Sequence, residues 1–295
     1  MFKGSYTALV TPFTKDQKVD EAALKQLIED QIAGGITGIV PCGTTGETPT
    51  LSDEERDLVV SIAVKVANKR VPVIAGTGSN STAHTIHYTK RAKELGADAA
   101  LVVVPYYNKP TQEGMYQHFM AVAKEGGLPV MLYNVPGRTG ADMLADTVVR
   151  LQADEPRIVA IKEAAGSTDR VAELRARTRK DFNILSGDDA LTLPMMAVGA
   201  DGVVSVASNV VPGRVSAMVK AALDNDYNRA RGIHLELREL FIALFVESNP
   251  IPAKAALASL GKMTDVVRLP LIPASEKTRD LLKSVLGQGL GPISL

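Results

Sequence analysis

The feature that most constrains the fold is a regular alternation of short β-rich runs with longer stretches of helical periodicity. Such alternation is typical of repeated βα units around a parallel sheet. Eight runs have the length and composition of strands: 6–11, 38–43, 71–77, 99–105, 130–135, 158–163, 183–187 and 202–207. Between them, Ser52 and Glu55 have the spacing of a capping box that starts a helix. Because eight strands suit a closed barrel, the sequence predicts an α/β fold, specifically a (β/α)8 TIM barrel.

Beyond about residue 225 the strand signals end. Three helical stretches follow, at 227–246, 252–260 and 275–286, and their connections contain proline or glycine. We therefore expect a barrel domain at residues 1–224, which carries the active site, and a C-terminal helical extension at residues 225–295. No low-complexity linker separates the two parts, so the extension is expected to pack on the barrel.

Charge and cysteine content narrow the function. Lys+Arg and Asp+Glu are equal at 33 each, so no net field favours nucleic acid or an anionic membrane, and the expected partner is a small molecule. Cys42 is the only cysteine and there are four histidines, which gives little support for a metal site, and we predict none. The N-terminus lacks a basic segment followed by a long apolar stretch, so a cytoplasmic location is expected.

A lysine interrupts the apolar run at residues 158–163. Side chains alternate along a strand, so Ala160, Lys162 and Ala164 share a face, and the two alanines leave room for a long side chain inside a barrel. Burial removes water from an ammonium group and favours the neutral amine, which attacks ketones. Lys162 is therefore a candidate Schiff-base nucleophile, although the run alone also fits a lysine that reaches solvent or pairs with a carboxylate.

Other polar residues lie at the ends of other predicted strands. Tyr133 can meet Lys162 from the next strand and relay protons if it has partners. Thr44 and Thr45 belong to a Gly/Thr turn whose glycines permit tight bending and whose backbone N–H groups can face a carboxylate. Arg138 can bind a second carboxylate through two hydrogen bonds. Singly these also fit a rim tyrosine, a common loop and a surface arginine, but their shared position favours one active site.

These residues belong to motifs that cover essentially the whole chain: GTTGE at 43–47, PYYN at 105–108, YNVPGRTG at 133–140, IKE at 161–163, LSGDD at 185–189 and NPIP at 249–252. In this order the set resembles the dihydrodipicolinate synthase (4-hydroxy-tetrahydrodipicolinate synthase) family of the pyruvate-dependent class I aldolases. The resemblance implies a lyase that condenses pyruvate with L-aspartate 4-semialdehyde in the diaminopimelate route to lysine. It implies no organic cofactor, and a homotetramer built as a dimer of dimers.

The resemblance also implies a role for each site residue. The catalytic positions are Lys162, Tyr133, Thr44 and Tyr107. Lys162 would form the Schiff base with pyruvate, and the other three would relay protons, with Tyr107 reaching in from a neighbouring subunit. The substrate-binding positions are Thr45 for the pyruvate carboxylate, Arg138 for the semialdehyde carboxylate, and the backbones of Gly187 and Val204. Val204 stands where the family carries isoleucine, which is a mild change.

Many members of that family are inhibited by lysine at a site in the dimer interface, where Asn80, His84 and Tyr106 stand in this chain. His84 replaces the glutamate that grips the effector's amine, and Asp53 and Arg56 occupy positions that often carry histidine in inhibited members. Loss of the carboxylate removes a charge-assisted hydrogen bond worth about 1.5–3 kcal/mol, or about tenfold or more in affinity. We therefore expect weak or absent inhibition by lysine.

Three other functions remain open on the sequence alone. The nearest keeps the Schiff base but acts on larger substrates, as N-acetylneuraminate lyase and 2-keto-3-deoxy sugar acid aldolases do, and Arg138 is the residue that discriminates against it. A second is a barrel that binds keto acids without catalysis, since fold does not determine function. A third is a phosphate-handling barrel, but the GADG segment at 199–202 enters strand eight at the opposite end of the barrel.

Overall fold

The computed structural model describes residues 2–287 of the 295-residue chain. The strands in this part of the chain are β1 (Gly4–Ala8), β2 (Gly38–Val40), β3 (Ile74–Gly76), β4 (Ala99–Val103), β5 (Val130–Asn134), β6 (Ile158–Glu163), β7 (Asn183–Ser186) and β8 (Gly202–Ser205). All except β1 lie inside a run predicted as a strand, and β1 begins two residues before its run. The predicted runs overshoot most strands because apolar residues continue into the connections.

Helices alternate with these strands and continue after the last one. Within residues 2–287 they are α1 (Glu21–Ala33), α2 (Asp53–Ala67), α3 (Thr82–Glu94), α4 (Gln112–Gly126), α5 (Pro136–Thr139), α6 (Ala145–Asp154), α7 (Thr168–Arg177), α8 (Thr192–Ala197), α9 (Pro212–Leu223), α10 (Tyr227–Ala243), α11 (Ile251–Ser259) and α12 (Glu276–Leu286). None of them is long and apolar enough to cross a membrane.

The strands form one sheet in the order β2-β1-β8-β7-β6-β5-β4-β3, and neighbouring strands run parallel. A parallel bridge between Ile39 and Val73 joins the two ends of this order. Parallel strands covered by helices are buried on both faces, and accordingly all but two strand residues, Val103 and Val159, are buried. The predicted (β/α)8 barrel is confirmed.

The predicted C-terminal helices are also confirmed, since α10, α11 and α12 follow the last strand. A domain boundary at residue 224 stays a prediction, and residues 288–295 of the predicted extension lie outside the described part of the chain.

The chain divides into two compact units. Among the described residues, one unit comprises 2–4 and 74–204, and the other comprises 5–73 and 205–287. The first unit contains the ends of β5 and β6. The second contains the Gly/Thr turn after β2 and the C-terminal helices, in which α10 packs on α9 and α12.

Helix α2 shows how a local signal connects to packing in the second unit. Oγ of Ser52 accepts a hydrogen bond from the N–H of Glu55 at 3.3 Å, and Oε2 of Glu55 accepts one from the N–H of Ser52 at 3.0 Å. This is the predicted capping box. Glu55 also accepts hydrogen bonds from both terminal nitrogens of Arg268, at 2.5 and 2.6 Å. The N-terminus of α2 is thereby tied to the segment between α11 and α12.

Candidate active site

Lys162 and Tyr133 form the centre of the candidate site in the first unit. Lys162 is the penultimate residue of β6 and is paired in register with Tyr133, the penultimate residue of β5. Both side chains are buried, with exposures of 5% and 6%. Nζ of Lys162 lies 4.3 Å from the centroid of the Tyr133 ring. The structure therefore brings together, next to the carboxyl ends of adjacent strands, an amine and a phenol that the sequence assigns to one site.

Gly187 provides the space that the lysine occupies. A Cβ atom at this position would lie 2.6 Å from Cβ of Ala164 and 3.0 Å from Cε of Lys162, so a side chain here would displace the amine. The N–H of Gly187 donates to the carbonyl oxygen of Glu163 at 2.7 Å. The N–H of Gly187 is therefore already engaged within the protein. Val204, the other backbone position, is fully buried in β8.

The next residues of β5 and β6 point to the opposite face and form a buried polar network. Glu163 is fully buried and accepts hydrogen bonds from Nε of Arg170 at 2.9 Å and from Nδ2 of Asn134 at 3.2 and 3.3 Å. Burial raises the pKa of Glu163, although the Arg170 guanidinium opposes this shift. Because every partner comes from a different element, the network fixes the ends of the two strands that carry Lys162 and Tyr133.

Arg138 lies in α5, the single helical turn after β5, and its side chain is exposed. Asn134 holds the loop that follows this turn: its Nδ2 donates to Oδ1 of Asp142 at 2.8 Å, and its Oδ1 accepts from the N–H of Met143 at 3.1 Å. A guanidinium on an anchored but exposed loop can bind the distal carboxylate of a substrate.

Tyr107 differs from the other candidates because its side chain is 87% exposed. Its backbone φ is 71°, a left-handed conformation that costs a residue with a side chain roughly 1–2 kcal/mol. The N–H of Tyr107 donates to the carbonyl oxygen of Thr139 at 3.3 Å, so this tyrosine is attached to the turn that carries Arg138. The structure does not bring Tyr107 onto the Lys162 amine of its own chain; it presents the ring outward.

The three positions of the possible effector site lie on two neighbouring loops and the start of a helix. Nδ2 of Asn108 donates to the carbonyl oxygen of Asn80 at 2.9 Å, and the N–H of Asn108 donates to the carbonyl oxygen of Tyr106 at 2.8 Å. His84 lies in the first turn of α3 and is exposed. The backbone thus brings the segments of Asn80 and Tyr106 together, and His84 follows Asn80 by four positions in the chain.

The Gly/Thr turn after β2 lies in the second unit and holds Thr44 and Thr45. Its left-handed residues are not glycines but Cys42 and Glu47, with φ values of 56° and 55°. Space around Gly46 is limited, since a Cβ atom there would lie 3.2 Å from three surrounding atoms. Thr44 is half-buried and Thr45 is buried. At Gly46, limited space and not a left-handed backbone therefore favours glycine.

Sequence reasoning missed the residues that hold this turn. Nδ2 of Asn249 donates to Oγ1 of Thr45 at 2.9 Å, and Nζ of Lys254 lies 2.5 Å from Oε1 of Glu47. Both side chains of the ion pair are buried, with exposures of 0% and 1%. Two signals were present: Asn249 opens the NPIP motif, and Lys254 interrupts the apolar sequence of α11.

A buried lysine beside a tyrosine near the carboxyl ends of adjacent barrel strands defines the class of (β/α)8 enzymes that use a lysine amine on carbonyl substrates. The chain belongs to the dihydrodipicolinate synthetase family, whose model matches residues 1–289. The resemblance that the motifs indicate is confirmed.

Individual relatives agree over nearly the whole chain. The 4-hydroxy-tetrahydrodipicolinate synthase of Geotalea daltonii is 55% identical over 97% of this chain and 98% of its own length. The crystal structure of dihydrodipicolinate synthase from Aquifex aeolicus is 49% identical, covers 100% of both chains and superimposes with a TM-score of 0.96. A relative from Cyanidioschyzon merolae, solved with lysine bound, is 42% identical over 97% of both chains, with a TM-score of 0.94.

Proposed function

We propose that this protein condenses pyruvate with L-aspartate 4-semialdehyde to give 4-hydroxy-tetrahydrodipicolinate, the reaction after which its relatives are named. The observation that carries the proposal is the buried pair of Lys162 and Tyr133, with Nζ 4.3 Å from the ring centroid. A lysine amine shielded from water can act as a nucleophile toward a ketone, and a phenol beside it can transfer protons.

Lys162 starts the reaction by attacking the C2 carbonyl of pyruvate, and loss of water gives the protonated imine. The imine accepts electrons when a proton leaves C3, which produces an enamine. The enamine carbon attacks the aldehyde carbon of the semialdehyde and forms the new carbon–carbon bond. The amino group of the semialdehyde then attacks C2, the bond from C2 to Nζ breaks, and the free Lys162 amine and the cyclic product are released.

The other candidate residues serve this sequence in two ways. Tyr133, Thr44 and Tyr107 relay protons between water and the reacting atoms, Thr45 donates to the pyruvate carboxylate, and the backbones of Gly187 and Val204 line the site. The 87% exposure of Tyr107 supports the proposal that its ring enters the site of a second subunit. We further propose, from the family resemblance, a homotetramer built as a dimer of dimers in which the dimer is the functional unit. A cytoplasmic location stays a prediction.

The decisive experiment compares three substrates on the purified protein. Turnover of pyruvate with L-aspartate 4-semialdehyde is measured beside the cleavage of N-acetylneuraminate and of 2-keto-3-deoxygluconate. Turnover of the semialdehyde alone is the expected result. Cleavage of a sugar acid instead would move the protein to the neighbouring aldolases and keep the role of Lys162. If treatment with borohydride and pyruvate leaves no pyruvate adduct on the protein, the result would support a barrel that binds keto acids without catalysis.

Replacing Arg138 by alanine is expected to raise KM for the semialdehyde by about tenfold or more and KM for pyruvate by much less, because one charge-assisted pair with the distal carboxylate is lost. Arg229→Ala, which removes an exposed arginine of α10, serves as the matched control and is expected to change neither constant. Steady-state kinetics with each substrate varied in turn give both values. Equal increases in the two KM values for Arg138→Ala would contradict the assignment.

Weak or absent inhibition by lysine is the expected regulatory behaviour, because the imidazole of His84 has no negative charge to pair with the effector's amine as a carboxylate does. The change His84→Glu is expected to strengthen inhibition by about tenfold or more. His87→Glu introduces the same charge at another exposed position of α3 and is the control. Initial rates are measured over a range of lysine concentrations. Clear inhibition of the unmodified protein at lysine concentrations below about 1 mM would contradict the prediction.

A further inference from the structure

The NPIP motif has no role in the reaction as described, yet its first residue contacts the turn that holds Thr45. Nδ2 of Asn249 donates to Oγ1 of Thr45 at 2.9 Å. The two residues are separated by 204 positions in the chain, and both are buried, with exposures of 6% and 3%. A polar contact that joins such distant segments in a buried place restricts the orientation of both groups.

The direction of this hydrogen bond determines what Thr45 can offer to a ligand. A hydroxyl has one proton to donate and two lone pairs to accept with. Since the Asn249 amide occupies an acceptor position of the Thr45 oxygen, the hydroxyl proton points elsewhere and can be donated to an anion. A carboxylate accepts hydrogen bonds and cannot donate them. By donating to Thr45, Asn249 therefore leaves the Thr45 hydroxyl as the donor that the pyruvate carboxylate requires.

The same part of the chain also holds the other end of the turn. Nζ of Lys254 in α11 lies 2.5 Å from Oε1 of Glu47, and the N–H of Arg268 donates to Oε2 of Glu47 at 3.0 Å. Glu47 adopts a left-handed backbone conformation, which such contacts must stabilise. The segment from Thr45 to Glu47 is thus held at both ends by residues that follow position 248.

We propose that Asn249 is a positioning residue. It orients the Thr45 hydroxyl so that this hydroxyl donates a hydrogen bond to the pyruvate carboxylate. The proposal rests on the role given to Thr45 in the proposed function. Asn249 itself acts through Thr45 and does not contact the reacting atoms. The NPIP motif is accordingly part of the pyruvate specificity of this chain.

The test uses Asn249→Asp, which keeps the shape of the side chain and replaces the donor by an acceptor. The carboxylate that this variant introduces is expected to accept the hydrogen bond that the Thr45 hydroxyl would otherwise donate to pyruvate. KM for pyruvate should therefore rise about tenfold or more, the effect of losing one hydrogen bond to a charged group. KM for the semialdehyde is expected to change by less than about twofold. Asn249→Ala leaves the hydroxyl able to rotate and is expected to give a smaller increase in KM for pyruvate.

A double-mutant cycle determines whether the effect passes through Thr45. Thr45→Val removes the hydroxyl, and adding Asn249→Asp to this variant is expected to raise KM for pyruvate by less than about twofold more. Asn209→Asp provides the structural control, because Asn209 is also buried in the second unit and its amide donates to the carbonyl oxygens of Ala8 and Val206. It is expected to lower Tm and leave the ratio of the two KM values unchanged.

Borohydride trapping separates failure of this inference from failure of the proposed function. The pyruvate concentration that gives half-maximal inactivation is expected to rise in Asn249→Asp by the same factor as KM. Unchanged pyruvate dependence, or equal increases in both KM values, would overturn the role of Asn249. If Asn249→Asp does not fold, Asn249→Ala and the Thr45→Val cycle give the same decision. Absence of any pyruvate adduct on the unmodified protein would instead refute the proposed function.

Discussion

Replacing Lys162 by alanine is expected to lower kcat by roughly 10³-fold or more, because the covalent intermediate cannot form without the amine. Lys162→Arg should be equally inactive, since a guanidinium retains the positive charge but stays protonated and is not a nucleophile. The two variants together distinguish a nucleophile from a residue that supplies only charge. Turnover of pyruvate with the semialdehyde is the measurement, and far-UV circular dichroism checks that both variants fold.

Chemical trapping locates the intermediate independently of turnover. Borohydride with pyruvate is expected to add one reduced pyruvate group to the peptide that contains Lys162 and to leave no adduct in Lys162→Ala. Lys180→Ala, which removes an exposed lysine, is the control and should be trapped and turn over like the unmodified protein. Either of two results would refute the assignment of Lys162. One is an adduct on the peptide that contains the buried Lys254, and the other is a turnover rate of Lys162→Arg within about tenfold of that of the unmodified protein.

Strand alternation was sufficient to predict the pairing of Lys162 with Tyr133, because a period of two is a local property of the chain. The same period of two separates Glu163 and Asn134 from the face of Lys162 and Tyr133, but it does not predict that they form a polar network. Their partner Arg170 lies in α7, and no local pattern indicates that contact. Sequence reasoning therefore finds residues that share a face of a strand and misses polar pairs that join different elements.

The bounds of β2 illustrate a second limit. The predicted run continues through residue 43, but the strand ends at Val40, and Cys42 has a φ of 56°. A residue with a left-handed backbone cannot continue the hydrogen bonding of a parallel strand, and a cysteine side chain does not predict that conformation. The exposure of Tyr107 could not be predicted for a related reason, because it depends on how its loop is held by Thr139 and not on the tyrosine itself.

Contacts between distant segments are the least predictable. Lys254 and Glu47 are 207 positions apart and pair completely out of water. From the sequence, Lys254 is one charged residue in an apolar helix, and Glu47 is the last residue of a turn motif. Their coupling fixes the turn of Thr44 and Thr45, so a feature that sequence reasoning missed supports the residues that it found.

Replacing Lys254 by methionine is expected to lower the free energy of unfolding by about 3–5 kcal/mol, because the Glu47 carboxylate is left buried without its cation. Urea unfolding followed by circular dichroism is the measurement. Lys262→Met makes the same substitution in a pair with Asp30 that is partly exposed, with side-chain exposures of 35% and 25%. That control is expected to lose about 1 kcal/mol or less.

The cause of this loss can be separated from the strength of the ion pair. Burial lowers the pKa of Lys254, although the Glu47 carboxylate opposes the shift, so desolvation offsets the attraction between the two charges. Removing both charges in Lys254→Met with Glu47→Gln should therefore recover much of the stability lost in Lys254→Met alone. A double variant no more stable than Lys254→Met would show that loss of the attraction, and not the unpaired carboxylate, accounts for the effect. Recovery of stability would indicate that the pair is kept for the geometry of the turn that holds Thr45.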